Sequence, residues 1–418
     1  MVPVRHRALS QGIPMTQTVD LGISREHLDS YLDAAGYWEG AERRRRNAYV
    51  LSPSAYVISR EQQVQLDRLS KTTHRAVRTL STYLSQLAGE RSLPNAEAQF
   101  LSLARTGFRG LLTPGDIAGN TPPVIKVDLV QDARGVYQIA EVDAYNPRGF
   151  GYMALLDGTV PVSYKRSGPG VDAVAEMMIK REQGEPEWII IVSDQERFYK
   201  PAFEVFRSAL ARKGVYAKLV DETDIVRAVS GAGIQNVFVI PETLNQNVDG
   251  RAYLLDRYKK GGLQTFYPPA AYLGSKAFLP YLSTCEGMEE FIPSCSLVSR
   301  KVDPLAICNG YPSVLKGVMS SGMKQVIFSD ADPELHASKL AEARTLKRPS
   351  WILQKLVAQK PVPIVVFDDA AGLTQRDYYL RITAYIAETG LIGAEVTGRT
   401  DPKVHGAPDC IQIPAIIG

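Results

Sequence analysis

Two apolar runs, "VIKVDLV" (124–130) and "GVYQIAEVDAYN" (135–146), flank the turn "QDARG" (131–135), and both carry carboxylates. They read as an antiparallel pair, with Gly135 free to adopt positive φ in the turn. Glu141 and Asp143 lie two apart on the second strand and therefore point to the same face, which Asp128 on the first strand joins. Strands that otherwise read as buried cannot gather three carboxylates unless something cationic stands among them. A hard oxygen site of this kind suits Mg²⁺, which keeps waters and prefers carboxylates together with substrate phosphates. Taken alone, the three charges also suit strand ends in solvent or paired with arginine.

The remainder of the chain narrows the setting. Its 418 residues exceed one ordinary core, so two or three domains are expected. Apolar residues make up 45% and charged ones 22%, with a net charge of +3, which favours neither a nucleic-acid coat nor a membrane surface. The run "WIIIV" is far short of a membrane span, and the N-terminus has no continuous apolar segment of the signal-peptide kind. A cytoplasmic protein is the expectation. Cys285, Cys295, Cys308 and Cys410 include no CxxC pair and read as reduced packing or loop residues.

Along the chain, residues 1–22 lack periodicity and read as a loose arm, and 24–110 read as helical. "SREQ" (59–62) has capping-box form. Behind it Leu66, Leu69, Val77, Leu80, Leu84 and Leu87 fall on one helical face. The basic run Arg43–Arg46 reads as a solvated helix end. From 111 to 160 strands are expected. "WIIIVSD" (188–194), a helix through Phe203, Phe206 and Leu210 stopping at Gly214, then "VYAKLV" (215–220) and "NVFVIPE" (236–242) alternate as a parallel sheet with helices on its faces. No GxGxxG follows the first of these strands, which argues against a dinucleotide site there. After 290 strands dominate: "SVLKGV" (313–318), "KQVIFS" (324–329), "SWILQKLV" (350–357), "VPIVVF" (362–367) and "DYYLRITAYI" (377–386).

Several polar residues sit oddly in these strands. Lys316 lies in an apolar strand just before a flexible Ser/Gly turn, a costly place unless it meets an anion, and the layout suits a phosphate under a flap. Lys276, in "YLGSKAFLPYL", is placed in the first turn of a helix, where the dipole disfavours a cation unless an anion is bound. The amide of Gln354 in "ILQKLV" could read a purine edge. Arg381 alternates with Tyr379, Thr383 and Tyr385 onto one face and needs an anionic partner.

This order of motifs resembles the ATP-grasp ligases, in particular the circularly permuted group of eukaryotic glutathione synthetase and glutathionylspermidine synthetase, over residues 120–415. The family's early metal strands of form R-x-D…E-x-N would be Lys126-x-Asp128…Glu141-x-Asp143, followed by "PRGFGY" in place of its Gly-containing substrate turn. "AAYLGSK" looks like the helix start whose lysine, here Lys276, contacts ATP. "SVLKGVMSSG" looks like the lid strand, with Lys316 on the phosphates. "ILQKLV" resembles the adenine hinge, giving Gln354, Lys355, Leu356 and Val357 to the nucleotide. "GRTDPKVHGAPDCIQIP" looks like the late loop whose arginine, here Arg399, contacts a substrate carboxylate. Lys126 stands in place of the family's arginine, Asp143 in place of its asparagine, and Ser320 where glutathione synthetase has a further glutamate.

The resemblance implies an α/β chain, α+β in the lid: a permuted ATP-grasp fold with an inserted Rossmann-like parallel-sheet domain and an N-terminal helical region. Its parts would be 1–110 (arm and helical region), 111–186 (metal-binding strands), 187–275 (Rossmann-like substrate domain) and 276–418 (lid and rest of the core). It implies an ADP-forming carboxylate–amine ligase using ATP and Mg²⁺ through an acyl phosphate. Asp128, Glu141 and Asp143 would hold the metal, and Lys126, Lys276, Lys316 and Arg381 would contact phosphates, with Lys316, Arg381 and Arg399 catalytic. Tyr145, Asn146, Arg148, Arg399 and His405 would face the substrates, His405 as a candidate acceptor of the amine proton. The substrates would be a small carboxylic acid and an amine of amino-acid, peptide or polyamine type, with no nucleic-acid or membrane partner. A homodimer is one option for the assembly. A nucleotide-binding module without turnover and a carboxylate–thiol ligase loading a carrier protein stay open as alternatives.

Overall fold

The computed structural model describes residues 17–34, 50–87, 121–145, 148–193, 199–241, 247–318, 325–347, 349–368, 372–405 and 409–418. The basic run 43–46, Asn146, Ser320 and most of the Ser/Gly flap lie outside these residues. Three sheets organise the described residues. Strands β1 (Thr18–Asp20), β2 (Ser54–Ile58), β3 (Ile125–Gln131), β4 (Tyr137–Asp143) and β5 (Lys165–Arg166) belong to the first. The second holds β6 (Glu187–Val192), β7 (Tyr216–Asp221), β8 (Gln235–Val237) and β9 (Leu263–Thr265). The third holds β10 (Cys295–Leu297), β11 (Ser313–Gly317), β12 (Val326–Phe328) and β13 (Trp351–Lys355). The chain then returns to the first sheet with β14 (Val362–Asp368), β15 (Gly372–Ala387), β16 (Gly390–Arg399) and β17 (Ile411–Ile417).

The first sheet runs β1-β2-β17-β16-β15-β3-β4, with β14 and β5 paired to β15 and β17, nine strands in all. Its pairings are antiparallel except β17 with β2. Thus β3, early in the chain, pairs with β15 near its end: Thr383 stands opposite Asp128, and Tyr385 opposite Lys126. Helix α1 (Arg60–Leu87) packs on β15 and β16 through the apolar stripe expected of it, with Leu66, Leu69, Val77 and Leu80 buried. Its start is the expected capping box: Gln62 N donates to Ser59 Oγ at 3.2 Å, and Ser59 N to Gln62 Oε1 at 2.9 Å.

Three sequence expectations are corrected. The loose arm contributes β1, which pairs with β2. The segment read as wholly helical contains β2, because "SAYVI" is a buried β-run that joins β17 in parallel. The segment read as strands contains helix α2 (Phe150–Thr159), an almost wholly apolar helix whose N-terminus follows Gly149 at φ 131°. An apolar run this short has no decisive period, so buried helix and buried strand look alike in sequence.

The second sheet is parallel, in the order β7-β6-β8-β9, as the alternation of strand and helix predicts. Helix α3 (Lys200–Ala211) covers it with Phe203, Phe206 and Leu210. Phe206 stacks on Phe150 of α2 at 5.3 Å, so this sheet shares a core with α2 and Tyr385 of the first sheet. The third sheet is antiparallel, ordered β10-β13-β11-β12, and has its own small core of Val298, Leu315, Ile327 and Leu353. It stands against β4: Lys316 Nζ of β11 donates to Ala140 O at 2.9 Å, and Gln354 Nε2 of β13 to Ile139 O at 3.2 Å. Among the described residues no helix is long and apolar enough to cross a membrane.

Candidate functional site

The register of β3, β4, β15 and β16 creates a polar row on one face of the first sheet. Glu141, Asp128, Thr383 and Glu395 stand opposite one another across four strands, and Asp143, Lys126 and Tyr385 form a parallel row beside them. Opposed residues in a ladder share a face, so these side chains meet. A β-bulge makes the arrangement possible. Asp128 pairs with Glu141 and Leu129 with Ile139, which leaves Ala140 unpaired, and its freed carbonyl accepts Lys316.

The cations among the carboxylates are the protein's own. Lys276 Nζ donates to Glu141 Oε1 at 2.9 Å, while Asp128 Oδ2 lies 3.8 Å from Lys126 Nζ and 3.7 Å from Arg381 Nη1. Thr383 Oγ1 donates to Asp128 Oδ1 at 2.9 Å. Burial would raise the Asp128 pKa, yet Lys126, Arg381 and the Thr383 hydroxyl together hold it below the ordinary aspartate value. Burial works against the Lys126 ammonium, but Asp128 and Asp143 outweigh it and keep its pKa raised. Lys276 is not in the first turn of a helix as expected. It lies in the turn before α4 (Phe278–Leu282), and a carboxylate rather than a helix dipole sets its environment.

Lys316 does sit on a buried strand, and its nearest hydrogen-bond partners are neutral: Ala140 O and, at 2.7 Å, Gln354 Oε1. Burial pulls its pKa down to about 8, with Lys276 adding repulsion and Glu141 opposing both. Gln354 spends its amide on Lys316 and Ile139 O and is itself buried.

A narrow cleft of about 100 Å³ opens between the first and third sheets. Asp128, Glu141, Lys276, Lys316, Gln354, Lys355, Leu356, Val357 and Arg381 line it, all of them singled out from sequence. Val314, Val326, Phe328, Pro402 and Val404 add apolar walls. The other sequence candidates are elsewhere. Asp143 and Lys126 are on the same sheet face but do not line the cleft. Tyr145 is buried and donates its hydroxyl to Ile240 O at 2.7 Å. Arg148 lies over the Tyr199 ring at 5.4 Å beside a small hollow at the α2–α3 contact. Arg399 binds Asp409, and His405 lies beside Lys403 O at 2.8 Å, away from the cleft lining. The segment expected as a loop through "CIQIP" turns into β17 at Ile411.

Sequence reasoning missed Glu395. It is buried, accepts a hydrogen bond from Tyr385 Oη at 3.3 Å, and burial pushes its pKa up to about 7 against the pull of Arg381 and Lys126. Among the described residues, Glu395 Oε2 and Arg381 Nε are buried without a hydrogen-bond partner. The argument applied to Lys316, an isolated charge in an apolar strand, would have found Glu395 in "LIGAEVTG". The cysteines behave as packing residues: burial pushes the Cys295 thiol up to about 12, so it is no nucleophile at neutral pH.

No family model and no curated protein matches the sequence. Among solved structures, a glutathione synthetase-like effector from Globodera pallida, in its apo form, aligns over 94% of this chain and 97% of its own, with a TM-score of 0.53 and 12% identity. The two chains share a fold. A protein described as a gamma-glutamylcysteine synthetase from Methylobacillus flagellatus KT aligns over 81% of this chain and 88% of its own at 12% identity, with a TM-score of 0.40, too low to add to the argument.

Among the described residues no group of three or more His, Cys, Asp or Glu side chains is placed to hold a metal in the ligand-free chain. Two carboxylates, Asp128 and Glu141, do line the cleft. One or two carboxylates with substrate phosphates are what Mg²⁺ takes, so these two fit an ion carried in on a nucleotide, and Asp143 is left out.

Proposed function

We propose that the chain is an ATP-dependent, ADP-forming carboxylate–amine ligase that holds its nucleotide in the cleft between the first and third sheets. The observation that carries this reading is the meeting, in that one cleft, of cations from three separate stretches: Lys276, Lys316 of β11 and Arg381 of β15. The glutathione synthetase-like fold supports the same reading.

A triphosphate and a carboxylate must approach in line, and fixed cations offset the charge that gathers between them. Lys276, Lys316 and Arg381 supply that charge, with Lys126 behind Asp128. Mg²⁺, when bound by Asp128 and Glu141, would supply further neutralisation of the phosphates. Val314, Val326, Phe328 and Val404 give the cleft apolar walls, which offer water no polar partners beside an acyl phosphate. The carboxylate of the first substrate takes the γ-phosphoryl group and ADP leaves; the amine of the second then attacks the acyl carbon, and phosphate leaves with the proton the amine gives up.

Binding of nucleotide without turnover is the second reading, favoured by the Lys276–Glu141 pair, which occupies one of the two metal carboxylates. ADP release, measured with acid and amine mixtures, separates the two. The ligase reading expects ADP formation that depends on both substrates and is lost in Glu141→Gln, which still folds but unfolds at a lower temperature because Lys276 loses its carboxylate partner. ATP binding with no ADP under any mixture favours the second reading, and an unaltered rate in Glu141→Gln removes Glu141 from the site.

A further inference from the structure

Arg399 is where geometry departs from the role that the sequence resemblance gives it. Its Nε donates to both oxygens of Asp409, at 2.8 and 2.9 Å, and its Nη1 donates to Lys403 O at 3.1 Å and lies 3.4 Å from His405 Nδ1. Lys403 N donates to Asp401 Oδ1 at 2.7 Å, and His405 Nδ1 is 2.8 Å from Lys403 O. These bonds gather residues 399, 401, 405 and 409 around the Lys403 backbone. The result is a loop whose Pro402 and Val404 form part of the cleft wall. From the same loop the Lys403 ammonium reaches to 5.7 Å from the centre of the Phe328 ring, on β12 across the cleft.

An exposed ion pair alone contributes little, and Arg399 and Asp409 are 18% and 49% exposed. Here several bonds converge on one backbone, and the pair holds Arg399 strongly enough to raise its pKa, chiefly through the hydrogen bond it donates to Asp409. A substrate carboxylate would have to displace Asp409, which is tethered ten residues away and so competes at high effective concentration.

We propose that Arg399 is a positioning residue: with Asp409 it braces the 400–405 loop as a wall of the cleft and sets Lys403 against the third sheet, and it does not bind a substrate carboxylate. The role of that wall in retaining a nucleotide rests on the ligase reading, whereas the bracing itself does not. Hydrogen exchange on the ligand-free protein, with Arg399→Ala, Asp409→Ala and the double variant, reads the bracing. Each single change should speed exchange at 403–404 and 326–328, and the double should add nothing further, because both remove one clamp. An ATP analogue should then leave about two- to fivefold faster from each variant and from Lys403→Ala, the scale of one exposed cation–π contact. Lys403→Ala leaves the Arg399–Asp409 pair untouched and guards against a folding defect in the other variants. Unchanged exchange in Asp409→Ala, or a raised KM for the acid substrate in Arg399→Ala alone, overturns the proposal. If no analogue binds the parent protein, the ligase reading fails while the exchange rates still decide whether the clamp exists.

Discussion

Lys316 carries its charge in an apolar strand against two neutral oxygens, and this makes it sensitive to pH in a definite direction. Its folded pKa, about 8, is below the ordinary lysine value of 10.5, so between those values the unfolded chain binds more protons than the folded one. Stability of the ligand-free protein should therefore rise as pH increases from 8 toward 10.5, and the contribution should vanish in Lys316→Met. Nucleotide binding should run the other way. A phosphate prefers the charged lysine, so above pH 8 binding must take up a proton and affinity should fall. Lys316→Met keeps the stem and removes the charge, which should weaken ATP binding about ten- to hundredfold while leaving ligand-free stability at pH 7 the same or higher. Denaturant unfolding checks the stability slope across pH 7 to 10, and titration calorimetry checks the binding slope over the same span. Normal binding by a destabilised variant would make Lys316 a structural residue only.

Among the elements, the join between β4 and α2 bears most on the site. Gly149 ends it at φ 131°, and a Cβ there would collide with Tyr385 Oη and lie 3.4 Å from Glu395 Oε1. Gly135, in the β3–β4 turn at φ 82°, has open space where its Cβ would be. Gly135→Ala should cost about 1–2 kcal/mol, the strain of a left-handed alanine. Gly149→Ala carries the same kind of strain plus a collision in the polar row, and should cost visibly more in denaturant unfolding. Equal costs would mean that the row yields easily. Only part of this join was legible in the sequence. The β3–β4 pair, its turn and the shared face of Glu141 and Asp143 follow from period-two alternation and from Gly135. The bulge at Ala140 leaves no local signal, because any small residue can be unpaired, and α2 has the composition of a buried strand.

Across the whole molecule, the sheet connections that build the cleft span most of the sequence: Thr383 on β15 bonds to Asp128 on β3, and Lys276 to Glu141. The cleft residues could be named from sequence because a charge or amide in an apolar strand is costly wherever the strand ends up, which holds for Lys316, Gln354 and Arg381 alike. Which charge meets which could not be read, since it depends on the register between distant strands. That is why three carboxylates suggested a metal cage, while the folded chain places Lys126, Lys276 and Arg381 among them. It is also why Arg399 and His405, adjacent in sequence to the cleft wall, lie off its lining. A larger, more open hollow of about 550 Å³ near residues 160–169 brings Asp67, Lys165 and Arg166 together without such a convergence, and so offers an internal rival. The most direct measurement is a crystal structure with Mg²⁺ and a non-hydrolysable ATP analogue. The account predicts the triphosphate between Lys276 and Lys316, with the base toward Leu356 and Val357. An analogue seated in the hollow near 160–169, or an empty cleft at saturating analogue, would contradict it.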